Sequence, residues 1–230
     1  PTNAAAHVVY HFVTALAMVV VALLVSFAVS FPLNQPKLML PLFVILAIGL
    51  LWVSVYGPAN QHNANSNTSG VLALLAISKA LPHNKRVCLL FLDNNERNLL
   101  GANAFRKKHP NAAANALFIN FDCVGDGENL LLMPSKYSRW DEELLTALGD
   151  AFLEEKSVHP KVLTQGLIYY PSDHKKFKFH VAVCACHHLA GLGYYIPRLR
   201  TKRDTQLSLD NISCIAEGIT RFIPQYLEEK

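Results

Sequence analysis

Two stretches of this chain carry no charged side chain. Val8 to Phe31 and Leu38 to Tyr56 contain no Asp, Glu, Lys or Arg. Each approaches or exceeds the roughly 20 residues that a helix needs to cross a hydrocarbon core about 30 Å thick. Between them lies Pro32 to Lys37, PLNQPK, a polar break with two prolines. Proline ends helices, and so short a break serves only as a tight reversal. Trp52 and Tyr56 stand at the end of the second stretch, where aromatic belts meet a membrane surface. Buried core helices seldom run this long without a charge on some face. A second span following at once argues against a cleaved leader. The pattern predicts a two-pass transmembrane hairpin over residues 1–57, anchored in a lipid bilayer, with both its ends on one side.

Which side is poorly fixed by charge. Lys37 is the one cation that closely flanks either span, too little for the positive-inside rule. The five cysteines are odd in number and form no regular framework: Cys88, Cys123, Cys184, Cys186 and Cys214. Those in apolar runs read as buried free thiols, which lean toward a reducing, cytoplasmic setting.

Only 17% of the residues are charged, below the usual quarter. The shortfall sits in the front part. From Thr2 to Ser78 only Lys37 and a few histidines can charge near neutral pH, so the rest, 58–230, has the composition of a globular domain. The net charge of +4 is scattered, apart from short basic clusters at 175–178 and 198–203, and gives no reason to expect a nucleic-acid partner.

That second part alternates. Helical periodicity runs over 69–81 with Ser69 as a plausible cap, then over 99–109, 141–156 and 210–227. Apolar runs over 86–93 (RVCLLFLD), 116–122 (ALFINFD), 129–133, 162–170 and 180–186 read as strands. Such alternation predicts an α/β domain with a mostly parallel central sheet. Sites in such sheets lie outside the strand carboxyl ends, which brings Asp93, Glu96 and Asp122 toward one edge.

Five segments then line up in order: NANSNTSG at 63–70, FLDNNERNLLGA at 91–102, INFDCVG at 119–125, PSDH at 171–174 and RTKRDT at 200–205, followed by DNI at 210–212. Together they resemble the co-catalytic zinc aminopeptidases, the family of bacterial leucyl aminopeptidases, glutamate carboxypeptidase II and the glutaminyl cyclases. The resemblance implies a zinc-aminopeptidase-like α/β sandwich and two zinc ions as cofactors. It also implies a Glu that acts as general base on metal-bound water, with peptides as substrates.

Carried over residue by residue, the metal positions are uneven. Glu96 and Asp122 are retained ligand positions. The bridging Asp falls on Ser66, the general-base Glu on Asn95 and the late His ligand on Arg200. The early His has no counterpart at the right spacing; His62 is the nearby candidate. The family's opening strands are shortened or missing. A neutral serine cannot offset the repulsion of two close dications. Arginine stays charged at any ordinary pH and brings a fixed cation to a cation site. Asparagine cannot take a proton from water, so general-base help of about 10²–10⁴-fold is lost. The expectation is a membrane-anchored pseudoenzyme or binding module with a degenerate zinc site, in which Arg200 pairs with Glu96 and Asp122. Its old crevice, with Asp93, Asp173 and His174 at the rim, would take a peptide or small molecule. The alternative is an active exopeptidase with a rearranged or single-metal site, for instance His62 with Glu96 and Asp122.

Other clusters read as structural. Strand alternation puts Cys184 and Cys186 on one face and His187 on the other, which suits core thiols. Gly125 to Gly127 reads as a turn. The basic cluster at 175–178 is a solvated face that could meet anionic lipid.

Overall fold

A computed structural model describes residues 4–56, 61–82, 84–95, 97–153, 159–163, 170–191, 193–199 and 201–228. The chain divides into two compact units, the first Ala4–Asn60 and the second beginning at Gln61. The boundary expected at 57–58 lies outside the described residues.

The first unit is a helical hairpin. Helix α1 (Ala4–Ser30) and helix α2 (Met39–Tyr56) are joined by a turn and a short 3₁₀ segment, Pro36–Leu38, and pack on one another. Phe12–Ser30 of α1, and Pro36–Val53 from the 3₁₀ segment into α2, are long and apolar enough to cross a membrane. Phe12, Leu24, Leu40, Ile48 and Trp52 are exposed, the wrong way round for water and the right way round for lipid. Small polar groups stay inside: Ser26 is buried and returns its hydroxyl to the Ala22 carbonyl at 2.5 Å.

The second unit is α/β. Its helices are α3 (Gly70–Ala80), α4 (Leu100–Lys108), α5 (Pro110–Asn115), α6 (Glu142–Leu153) and α7 (Leu209–Glu228). Its strands are β1 (Leu117–Phe121), β2 (Asn129–Pro134), β3 (His159–Val162), β4 (Phe179–Leu189) and β5 (Gly193–Tyr195). The order is β1-β4-β2-β3, with β5 paired to the end of β4. Two of the three pairings along the main path are parallel, β1 with β4 and β2 with β3; the middle one, β2 with β4, is antiparallel. The mostly parallel α/β sheet read from the sequence is therefore present.

The core splits by layer. Leu130 and Leu132 of β2, with Val181, Val183 and Ala185 of β4, face α3, α6 and α7 through Ile77, Leu148, Ile215 and Phe222. On the other face Ala102, Ala113 and Phe177 form a smaller cluster under α4 and α5.

Three local readings change. The run 86–93 forms no ladder with any strand among the described residues, although its backbone is not helical. Ser69 does not cap α3: its own backbone is helical, and its hydroxyl is used elsewhere. Strand β3 spans His159–Val162, earlier than the expected 162–170, of which 164–169 lie outside the described residues.

Candidate active-site crevice

The first motif, 63–70, folds as a wide π-turn over Ala64–Ser69 with Ser66 kinked out of helical geometry (φ −109°, ψ 94°). Asp204, from the last motif, holds this turn. Its two carboxylate oxygens accept the backbone N–H groups of Asn65 at 2.8 Å and Ser66 at 3.1 Å, and its carbonyl accepts that of Ala64 at 3.1 Å. The turn in turn holds the end of β1. Asn65 Oδ1 accepts the Gly125 N–H at 2.8 Å, and Ser69 Oγ accepts that of Val124 at 2.9 Å while donating to the Asn65 carbonyl at 2.5 Å. Gly70 must be glycine for space: a Cβ there would lie 2.3 Å from the Phe121 carbonyl oxygen.

Beyond β1 the chain reaches Asp122 and Cys123. Cys123 sits at φ 53°, an uncommon conformation for a side chain that is not glycine. Its thiol faces Asp122 Oδ1 at 3.4 Å and has Ser66 as a neighbour. Ser66 and Asp122 are thus brought to the same thiol. Burial first, and Asp122 next, push the Cys123 thiol well above its ordinary pKa; it is an inert neutral group at physiological pH.

The other oxygen of Asp122, Oδ2, accepts the Ser172 hydroxyl at 2.8 Å, and Ser172 Oγ accepts Asn120 Nδ2 at 3.2 Å. Tyr170 donates its hydroxyl to the Asp122 carbonyl at 2.5 Å and stacks on His174, ring centroids 5.7 Å apart. Asp173 and His174 are 8% and 6% exposed, and Asp173 Oδ1 and His174 Nδ1 have no hydrogen-bond partner. Burial, reinforced by Asp122, raises Asp173 to a pKa of about 6. Burial, with His180 and Lys175 adding to it, lowers His174 to about 3.

Of the residues singled out from the sequence, Ser66, Asp122, Asp173 and His174 come from three motifs into one region. Asn95 is half-buried in a turn and bonds Leu99 N–H through its own carbonyl at 3.0 Å. Asp93 is exposed and binds the backbone and side-chain nitrogens of Asn94 at 2.6 and 2.9 Å. His62 is exposed just ahead of the π-turn. Glu96 and Arg200 lie outside the described residues.

The donors that zinc would need can be weighed against this geometry. Zinc takes thiolate, imidazole or carboxylate ligands. Among the described residues no three His, Cys, Asp or Glu side chains are grouped to hold a metal. Asp122 spends one oxygen on Ser172, and Ser66 offers a neutral hydroxyl beside a neutral thiol. The described side chains alone do not fit a two-zinc centre.

Sequence reasoning passed over Ser172, Tyr170 and Cys123, though each lies in or next to a quoted motif. It also passed over a polar cluster at the far end of β4. Asp126 is paired with Arg198 Nη2 at 2.5 Å and with His187 Nε2 at 3.1 Å, while His187 Nδ1 meets Glu128 at 2.7 Å. The residue read as a plain turn is therefore an anchoring acid. Cys184 and Cys186 are buried with sulfurs 3.5 Å apart and His187 points away, as strand alternation requires.

The fold and the motif order define a peptidase-type α/β domain, and the chain belongs to peptidase family M28, whose profile matches residues 53–206. Among solved structures it is similar to the LapA aminopeptidase of Legionella pneumophila. One structure of that protein gives 16% identity and a TM-score of 0.53, over 71% of this chain and 46% of LapA. A second gives 15% identity and a TM-score of 0.54, over 71% and 48%. The chain spans about half the length of those structures, and the likeness is one of fold. No curated protein matches it.

Proposed function

We propose that this chain is a membrane-anchored M28 domain that keeps the peptidase crevice but lacks a working two-zinc centre, and that it binds peptides or peptide-like small molecules without cleaving them. The hairpin, with its lipid-suited surface, serves as the anchor. The basic cluster at 175–178 and the free thiols favour the cytoplasmic side.

One observation carries the reading. Ser66, at the position of the bridging carboxylate, is fixed by Asp204 and turned to the Cys123 thiol beside Asp122. A bridging ligand must be anionic to hold two dications close together; neither Ser66 nor the buried thiol supplies that charge. Asn95 adds the loss of a general base.

Aminoacyl-p-nitroanilides, offered to the purified full chain with and without a chelator, test this. No chelator-sensitive release of nitroaniline is expected. Turnover that disappears with chelator and returns with zinc would establish the alternative, an active exopeptidase with a rearranged or single-metal site.

A further inference from the structure

The segment 87–92 behaves as a strand without a neighbour. Leu89 packs on the core layer formed by α3 and α7, whereas Leu90 and Leu92 pack on the opposite layer with Ala102 and Phe105. β1 shows the same alternation: Leu117, Ile119 and Phe121 reach the first layer, and Phe118 the second. Side chains of successive strand residues point to opposite faces, so both segments lie as strands sandwiched between the same two layers. Yet no backbone hydrogen bond joins them among the described residues, and β1 pairs on one side only, with β4. Between them runs an apolar cavity of about 440 Å³, within the range of ligand pockets, about 300–1,000 Å³.

Two features say what fits. Both walls present strand-edge N–H and C=O groups, which an added strand satisfies in a way a compact apolar ligand does not. At the carboxyl end of β1 the cavity is lined by Asp173, whose Oδ1 is buried and without a partner. Arg86, also in the lining, already gives its Nη2 to the Leu227 carbonyl at 2.8 Å.

We infer that this slot is a strand acceptor: it takes an extended peptide segment from another protein, inserted between 87–92 and β1, with apolar side chains alternating into the two layers and a basic group meeting Asp173. The inference is independent of whether the crevice holds zinc.

The test uses the full chain in detergent micelles and a short, dye-labelled peptide of consecutive valines, apolar on both faces of a strand, with a lysine at each end. Fluorescence anisotropy should show saturable binding, and amide hydrogen exchange at 88–92 and 117–121 should slow on addition of peptide. Methylating the peptide's backbone nitrogens should weaken binding about tenfold or more, since several ladder bonds are lost. Asp173→Asn should weaken the lysine-ended peptide about tenfold and leave a glutamine-ended one unchanged. Equal binding of the methylated peptide would overturn the inference, as would no binding with exchange unaltered. So would protection of the 88–92 amides without peptide, whether intrinsic or rising with protein concentration as a second copy fills the slot; the β1 amides bonded to β4 are protected in either case.

Discussion

Asp204 grips the backbone of Ser66: its Oδ2 accepts the Ser66 N–H at 3.1 Å while its Oδ1 accepts the Asn65 N–H at 2.8 Å. The two residues are far apart in sequence, and Asp204 is only 3% exposed. Hydrogen bonds to a charged acceptor contribute about 1.5–3 kcal/mol each, and leaving buried N–H groups unsatisfied is costly. Asp204→Ala should therefore destabilise the second unit by about 2–4 kcal/mol, read as a lowered denaturant midpoint with unchanged slope. Asp204→Asn, which keeps one acceptor, should lose less.

Gly70 and Gly149 make a matched pair. A Cβ at Gly70 would lie 2.3 Å from the Phe121 carbonyl oxygen, whereas one at Gly149, inside α6, would meet nothing within 4 Å. Gly70→Ala should cost about 1–3 kcal/mol through forced backbone movement. Gly149→Ala should gain about 0.5–1 kcal/mol from helix propensity. Thermal midpoints moving in opposite directions would confirm both.

Asp173 and His174 should give stability opposite pH slopes. The folded pKa of His174, about 3, lies below its ordinary 6.5, so the unfolded chain takes up a proton first and stability is lost as pH falls below about 6.5. The folded pKa of Asp173, about 6, lies above its ordinary 3.8. Its contribution is fully present below about 3.8 and is lost as pH rises through about 6. Relative to the parent, His174→Gln should gain stability as pH falls from 7 to 4, and Asp173→Asn should gain it as pH rises over the same interval. Denaturation midpoints across that interval measure both differences.

How much of this was legible is decided by the range of the interactions. Helices α3, α4, α6 and α7 and strands β1, β2 and β4 carry their own period, and the hairpin its own lack of charge, so composition and spacing were enough; α5, which begins at the proline that ends the preceding helical pattern, was not read. The run 86–93 is as apolar as β1, but a ladder needs a neighbour at bonding distance, which no local pattern reports. Ser69 resembles a cap because its true partners, Val124 N–H and the Asn65 carbonyl, include one 55 residues away. Asp204, Ser172 and Tyr170 act on residues that only the fold brings near. The motif identified the region, while which atoms meet there depended on tertiary contacts.

The first span should be sensitive to a buried charge. Val21 lies within Phe12–Ser30 and is exposed. A lysine near the centre of a spanning helix costs about 2.5–3.5 kcal/mol on insertion. Val21→Lys should lower the fraction of chain that resists alkaline extraction from membranes, while Val71→Lys, on exposed α3 surface, should leave it unchanged.

The most direct measurement is the zinc content of the full chain, purified without chelator from zinc-supplemented cells and analysed by mass spectrometry alongside the Ser66→Asp, Asn95→Glu, Arg200→His triple variant. Well under one zinc per chain is expected for the parent, with an increase in the triple variant as the anionic bridge and imidazole ligand return. Two tightly held zinc ions per parent chain would contradict the account.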